Sequence, residues 1–322
     1  GEIIADTAGG ESLGREIDIE AGREFWSFRP PERVEAPATD DDWAWSDIDR
    51  FLRAAMDEAG VTPVGDADRR TWLRRVTFDL TGLPPTIEEL DGFEHALEQA
   101  ATRSQARAVE ESIVDRLLAS RARAEHRTRE WLDIARYADT NGYQNDFRRD
   151  QWPWRDWVLR AFERNMPYDR FVMEQVAGDI LPGADVQSTL GTGFQRNHRT
   201  VTEAGSLDEE WRVENVADRA ETTATAFLGL TLACARCHDH KYDPLTQRDY
   251  YAFYGFFDQV DEKGVYQETR GNVAPLLRVP TEAQDARLAD LAAEIEAHEA
   301  SVEALEDSAP ERHATWRRSA SR

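Results

Sequence analysis

Residues 234–238 read Cys-Ala-Arg-Cys-His, and they contain both cysteines of this 322-residue chain. A C-x-x-C-H run is the attachment sequence of a c-type haem. Two thioethers form on the porphyrin vinyl groups, and the adjacent histidine becomes the proximal iron ligand. Two intervening residues let both sulfurs reach the same porphyrin edge, and the turn that follows swings His238 under the iron. A haem fixed in this way cannot dissociate, which suits a protein working outside the cytoplasm. Three other readings compete. A structural disulfide needs nothing more than the two thiols. A thioredoxin-like redox pair normally sits after a strand at a helix start and does not require the histidine. Zinc is the strongest rival, because Cys234, Cys237, His238 and His240 offer four ligand side chains within seven residues. Structural zinc sites usually draw their second ligand pair from farther along the chain, and four ligands packed this closely would strain a tetrahedral shell. The motif therefore favours haem.

The charge balance narrows the partners. Acidic residues outnumber basic ones 63 to 39, for a net charge of −24. Phosphate contact needs a basic surface, so nucleic-acid binding is disfavoured, and an anionic membrane would repel the chain. Solubility accounts for most of this charge; steering towards a basic redox partner protein is the functional alternative. No apolar run reaches the roughly 18–20 residues that span a bilayer. The chain opens at Gly1 rather than Met. Because covalent haem attachment takes place outside the cytoplasm, the expectation is that an export signal has been removed and that the protein is periplasmic or extracellular.

Periodicity and capping signals predict a mainly α-helical, irregular multi-helix domain that carries covalent haem c and ends in a C-terminal linker helix. Residues 1–42 are expected to be irregular because of Pro30, Pro31, Pro37 and the acidic run 40–42, with Phe25, Trp26 and Phe28 pinning this segment to the body. Ser46 caps a run that stops at Gly60. A second helix covers 68–80, the Gly82-Leu83-Pro84-Pro85 break follows, and Thr86 opens a third. Further helices are expected over 107–119, 122–138, 154–165 and 168–177. A long run over 207–230 leads into the C-x-x-C-H motif, and another helix covers 246–257. Residues 265–279 offer a short β element. From 281 to 305 the composition shifts to Ala, Glu and Leu, as in a solvent-bridging or paired helix, and the residues from 308 on read as a frayed, basic tail. The chain thus divides into an irregular segment 1–42, a helical cytochrome c domain 43–264, a connector 265–280, and a linker helix with tail 281–322.

Several segments carry a resemblance. They are Ile48-Asp49-Arg50-Phe51, the stretch from Arg74 to Pro85, the stretch from Trp131 to Gly142, Tyr168-Asp169-Arg170-Phe171, Gly193-Phe194-Gln195-Arg196-Asn197-His198, and the stretch from Gly229 through the C-x-x-C-H to His240-Lys241-Tyr242-Asp243-Pro244. Together, over about residues 24–260, the chain resembles the planctomycete-type cytochrome c domain family of unknown function. The resemblance implies an exported protein that usually continues into a second conserved domain of unknown function, here absent, which agrees with a chain that stops after a linker helix. It also implies a setting among polysaccharide- and sulfated-glycan-degrading systems, and so a role in carbohydrate oxidation. One departure stands out: the family usually has a histidine before Trp131, where this chain has Glu130, so no role of that histidine transfers.

An iron held by His238 has a sixth position to fill. His240, two residues on, cannot reach the opposite face of the same haem. His298 and His313 lie in the linker helix and tail. His198, within the Gly193–His198 motif, precedes the motif by a connection long enough to fold over the distal face, and is the first choice as distal ligand or distal-pocket residue; Met173 and Met166 are the alternatives. Two protein ligands make an electron-transfer module, whereas an open position admits peroxide or substrate oxidation. Arg196, Arg199 and Arg236 suit pairing with haem propionates, since guanidinium meets carboxylate bidentately. His240, Lys241, Tyr242 and Asp243 either cap the turn after the motif or bind substrate, a second metal or a propionate. Asp133, Asp139, Asn141 and Asp146 supply oxygens for a calcium site, without EF-hand spacing. Trp152, Trp154 and Trp157 are core or a sugar-stacking platform, and core is favoured.

The expectation is therefore an extracytoplasmic monohaem c-type cytochrome that transfers electrons to or from a redox partner, as part of a larger oxidoreductase acting on an external substrate such as a carbohydrate. The alternatives are a haem enzyme with an open distal site and a zinc-binding structural or interaction module.

Overall fold

Local signals set most of the helices. In the computed structural model, which describes residues 18–39, 43–266 and 271–320, a short helix α1 (Ile19–Arg23) comes first. Ser46 then caps α2 (Asp47–Glu58) by a reciprocal capping box with Asp49. Asp68 caps α3 (Arg69–Thr81), which ends in the left-handed Gly82. Thr86 and Thr102 cap α4 (Ile87–Gln99) and α5 (Arg103–Leu118) by the same box. Ser120 caps α6 (Arg121–Ile134). Next come α7 (Trp152–Glu163), α8 (Tyr168–Ala177) and α9 (Val186–Gly191), the last running into a 3₁₀ turn, Thr192–Arg196. Helix α10 (Asp208–Thr223) leads into one π turn, Ala224–Leu228. A 3₁₀ turn, Leu232–Arg236, and α11 (Gln247–Tyr254) close this part. No strand forms among the described residues; the short β element expected over 265–279 reduces to a single bridge between Val201 and Val265.

Packing joins these helices around several apolar centres. Leu73, Phe93 and Leu97 form the first, where α3, α4 and α5 meet. An aromatic seam forms the second. Trp131 of α6 packs on Phe171, Phe194 and Phe227, and its indole N–H donates to the buried Gln175 amide oxygen at 2.9 Å. Trp154 and Trp157 are fully buried in it, so they are core, as favoured from sequence, while Trp152 stays exposed. The third centre holds Ala224, Leu232, Ala235 and Tyr250, where α10, α11 and the 3₁₀ turn of residues 232–236 meet.

Three expectations are corrected. Phe25 and Trp26 do not pin the N-terminal segment, since they are 56% and 76% exposed. The segment is instead anchored by Gly22, which lies directly on Pro244, and by an Arg23–Asp249 ion pair of 3.3 Å. The helix expected over 122–138 stops at Ile134, because Arg136 turns into the left-handed region at φ 59°. The tail expected to fray from residue 308 is helical. Residues Pro275–Arg322 form a separate unit that contains α12 (Glu282–Ala320), and α12 continues through Pro310. No residue of α12 is buried, so the carbonyl that proline leaves without its helical partner meets water. The acidic run 40–42 lies outside the described residues.

Candidate functional site

The C-x-x-C-H stretch sits on the 3₁₀ turn Leu232–Arg236, and that geometry arranges its side chains. A 3₁₀ helix has three residues per turn, so positions i and i+3 eclipse. Leu232 and Ala235 share the face that is buried against Ala224 and Tyr250. Cys234 and Cys237 share another face, and both are exposed free thiols. Arg236 leans a third way, on to α10, where its guanidinium grips both carboxylate oxygens of Glu214 (Nη1 to Oε2, 3.0 Å). The turn enters from the left-handed Gly229, which ends the π turn after α10. It is held from the other side by α11: the Arg236 carbonyl accepts from the Gln247 side-chain amide at 3.1 Å and from the Tyr251 hydroxyl at 3.2 Å. Asp239 in turn accepts the Gln247 backbone N–H at 2.8 Å. Both thiols thus lie on one outward side of a firmly held turn.

His238 is exposed next to them. Its Nδ1 lies 2.8 Å from the Asp239 carbonyl, so this nitrogen carries the proton and donates. That tautomer leaves the Nε2 lone pair free to ligate, the arrangement in which a metal-bound histidine is held by its outer nitrogen. His240 behaves differently. It is buried, and its Nδ1 accepts the backbone N–H groups of Asp243 at 2.8 Å and Tyr242 at 3.3 Å. It caps the turn after the motif, the bland alternative for this cluster. Cys234, Cys237, His238 and His240 therefore do not converge, and among the described residues no group of three or more His, Cys, Asp or Glu side chains is placed to hold a metal ion. The same applies to the oxygen set considered for calcium: Asp139 accepts from the Tyr137 hydroxyl, and Asp146 accepts the Gly142 backbone N–H at 2.8 Å. Glu130, the departure before Trp131, pairs with Arg127 at 2.9 Å.

The other candidates belong to a buried polar cluster. His198 is 2% exposed. Its Nδ1 donates to the Arg199 carbonyl at 2.7 Å, and its Nε2 lies 3.0 Å from an Arg219 nitrogen and 3.1 Å from Glu262. Neither ring nitrogen is left for iron, so in this arrangement His198 is no axial ligand. Arg196 and Arg219 both pair with the single carboxylate of Glu262, and Arg196 also donates to the Val273 carbonyl at 3.1 Å. Arg199 is exposed and stacks on Trp211 and Tyr143. Met166 and Met173 lie at and on α8, which packs against α9 and the turn of residues 192–196. Arg149 spends its guanidinium on main-chain carbonyls, those of Arg196, Asn197 and His198 at 2.9 to 3.2 Å. Burial, reinforced by the charge of Arg196, pulls the Arg149 pKa down to about 10.

Burial, with Arg219 and Arg196 alongside, holds the His198 pKa well below its ordinary value. The native state therefore keeps this ring neutral, while the unfolded chain protonates it as pH drops through about 6.5. Stability is then present above pH 6.5 and lost below it, by about 1 kcal/mol between pH 6.5 and 5.5. Urea midpoints at these two pH values, compared with those of His198→Gln, measure this. The variant should lose less over the interval, and an equally steep loss would show that His198 is charged in the fold.

His198, Arg199 and Arg149 line a cavity of about 440 Å³. Its wall contains Arg136, Arg149, Asn197, His198 and Asp218 together with Arg236 from inside the C-x-x-C segment. Sequence reasoning named His198 and Arg236 but missed Arg136, Arg149, Asn197 and Asp218. The signal for three of these was weak, since an Arg or Asp in so highly charged a chain reads as solvated surface.

No curated protein and no solved structure matches the chain. Among the described residues no helix is long and apolar enough to cross a membrane. The family model PSCyt2, described as a protein of unknown function (DUF1549), matches residues 47–262. That span covers the helical body, the cavity and the C-x-x-C-H turn, and on this match the chain belongs to the PSCyt2 family.

Proposed function

We propose that this chain is an extracytoplasmic monohaem c-type cytochrome module. It would exchange electrons with a redox partner as part of a larger oxidoreductase acting on an external substrate such as a carbohydrate. The observation that carries the reading is the exposed face made by Cys234, Cys237 and His238, with both thiols free and the Nε2 lone pair of His238 available. The residues fit the group: Cys234 and Cys237 would hold the porphyrin, and His238 would ligate iron. Bound there, haem would supply one-electron chemistry. The firmly held turn supports this role, because a fixed ligand orientation is one of the protein's means of setting a potential.

One observation favours the haem-enzyme alternative with an open distal site. The side chain chosen from sequence as sixth ligand, His198, has both nitrogens committed to other groups. An iron with a vacant or weakly held sixth position would take small ligands.

The test is expression with a cytochrome c maturation system, followed by a pyridine haemochrome spectrum and an intact mass. The expected result is one covalent haem per chain. Absence of both haem absorbance and mass increment would remove the proposal. Adding carbon monoxide to the reduced protein then separates the two readings: a shifted spectrum supports the open site, and an unchanged low-spin spectrum supports electron transfer alone.

A further inference from the structure

The cavity beside the motif has more positive charge than its protein groups neutralise. Four guanidiniums, the buried Arg149, the half-buried Arg136 and Arg236 and the exposed Arg199, face three carboxylates, Glu214, Asp218 and Glu221. Glu214 is fully engaged by Arg236. Glu221 accepts from the Tyr250 hydroxyl at 3.0 Å, and burial raises its pKa. Immediately behind the wall, Arg196 and Arg219 share the one carboxylate of Glu262. A local excess of cations in a chain of net charge −24 is not a consequence of composition. Buried unpaired charge is costly, so such an excess implies a compensating anion.

The wall also contains buried polar groups without a directed hydrogen bond among the described residues. Asn197 is 2% exposed, and neither its amide nitrogen nor its amide oxygen has a hydrogen-bond partner among the described residues. Arg136 is brought to the cavity by its left-handed backbone at the end of α6. One of its nitrogens lies 2.6 Å from Asp218, yet none of the three makes a directed hydrogen bond among the described residues. A buried amide left in this state costs about 1–3 kcal/mol per group, which a ligand's oxygens and hydroxyls would recover.

We propose that this cavity is a carboxylate-binding site, in which Arg136 and the Asn197 amide nitrogen donate to the carboxylate. The Asn197 oxygen and the Asp218 carboxylate remain as acceptors, which suits a small hydroxylated organic acid. A haem propionate offers the same carboxylate chemistry from a second source. The cavity does not depend on haem attachment, and haem content is measured separately by the haemochrome spectrum, so failure of either idea can be told from failure of the other.

The experiment is calorimetric titration of the isolated protein with gluconate, and with sorbitol as its uncharged counterpart. Saturable binding of gluconate without binding of sorbitol, weakened at least tenfold in Arg136→Gln, supports a small-molecule source. A second variant, Asn197→Asp, places a carboxylate in the cavity with almost no change of shape. It should abolish gluconate binding and raise the thermal midpoint of the ligand-free protein. If gluconate does not bind but Arg136→Gln or Asn197→Asp shifts the reduction potential of the attached haem, the carboxylate is a propionate. If gluconate does not bind, the potential is unmoved and Asn197→Asp does not stabilise, the site does not exist.

Discussion

Replacing both cysteines, Cys234→Ala and Cys237→Ala, should eliminate covalent haem completely while leaving the helical fold intact. The first part follows from thioether chemistry, since no other thiol exists in the chain to form the bond. The second follows from exposure. Neither sulfur packs into the core; the turn is held by Leu232 and Ala235 on its inner face and by Gln247 and Tyr251 on its carbonyl. Exposed substitutions away from packing or hydrogen bonds usually change stability by no more than about 0.5 kcal/mol. Haem-free wild type and haem-free double variant should therefore give the same far-ultraviolet circular dichroism and melting midpoints within a few degrees of each other. Intact mass should show the wild type with its haem increment and the variant with none. A variant that still carries the increment would refute attachment through these residues. A variant that retains no helix would show that the thiols do more for the fold than their exposure allows.

The same contrast explains what could be read from the sequence. Helix starts were legible because capping is local: Ser46 with Asp49, Asp68 alone and Thr86 with Glu89 each announce a helix within four residues, and each cap is present. The C-x-x-C-H motif was legible for the same reason. The cavity was not. Arg136 and Asn197 are about sixty residues apart, and their meeting depends on α6 ending where Arg136 adopts a positive φ, a conformation that periodicity over 122–138 does not foresee. Yet three of the segments that carried the family resemblance meet there. The stretch from Trp131 to Gly142 supplies Arg136, the stretch from Gly193 to His198 supplies Asn197, and the C-x-x-C-H stretch supplies Arg236. Chain order alone made His198 the candidate distal ligand of the proposed haem. Its buried arginine and carboxylate partners, at positions 219 and 262, come from separate elements, and only the fold shows that the ring is already occupied. The end of α12 was not legible either: the residues from 308 on read as a frayed tail, yet the helix runs on to Ala320. Pro310, which would break a helix in a packed interior, is tolerated where no residue is buried.

The second large effect is expected at Glu262. Its carboxylate is 2% exposed on the side chain and is the shared partner of Arg196 and Arg219, with His198 3.1 Å away. Glu262→Gln removes one negative charge and leaves two buried guanidiniums facing each other beside a neutral imidazole. Breaking a buried pair by deleting one partner costs about 3–5 kcal/mol, because the remaining charge is left unsolvated. Two cations lose their partner here, so the loss should lie at the upper end of that range, a large fraction of the stability of an ordinary domain. The comparison that gives this figure meaning is Glu209→Gln. Glu209 also pairs with an arginine, Arg212, at 2.8 Å, but its side chain is 72% exposed and Arg212 keeps a second partner in Asp258 at 2.7 Å. Exposed pairs contribute about 0–1 kcal/mol. Chemical denaturation of the two variants at pH 7 should therefore separate them by several kcal/mol. If Glu262→Gln costs no more than Glu209→Gln, the arginine cluster is solvated or neutralised from elsewhere, and the charge excess around the cavity would need no anion to balance it.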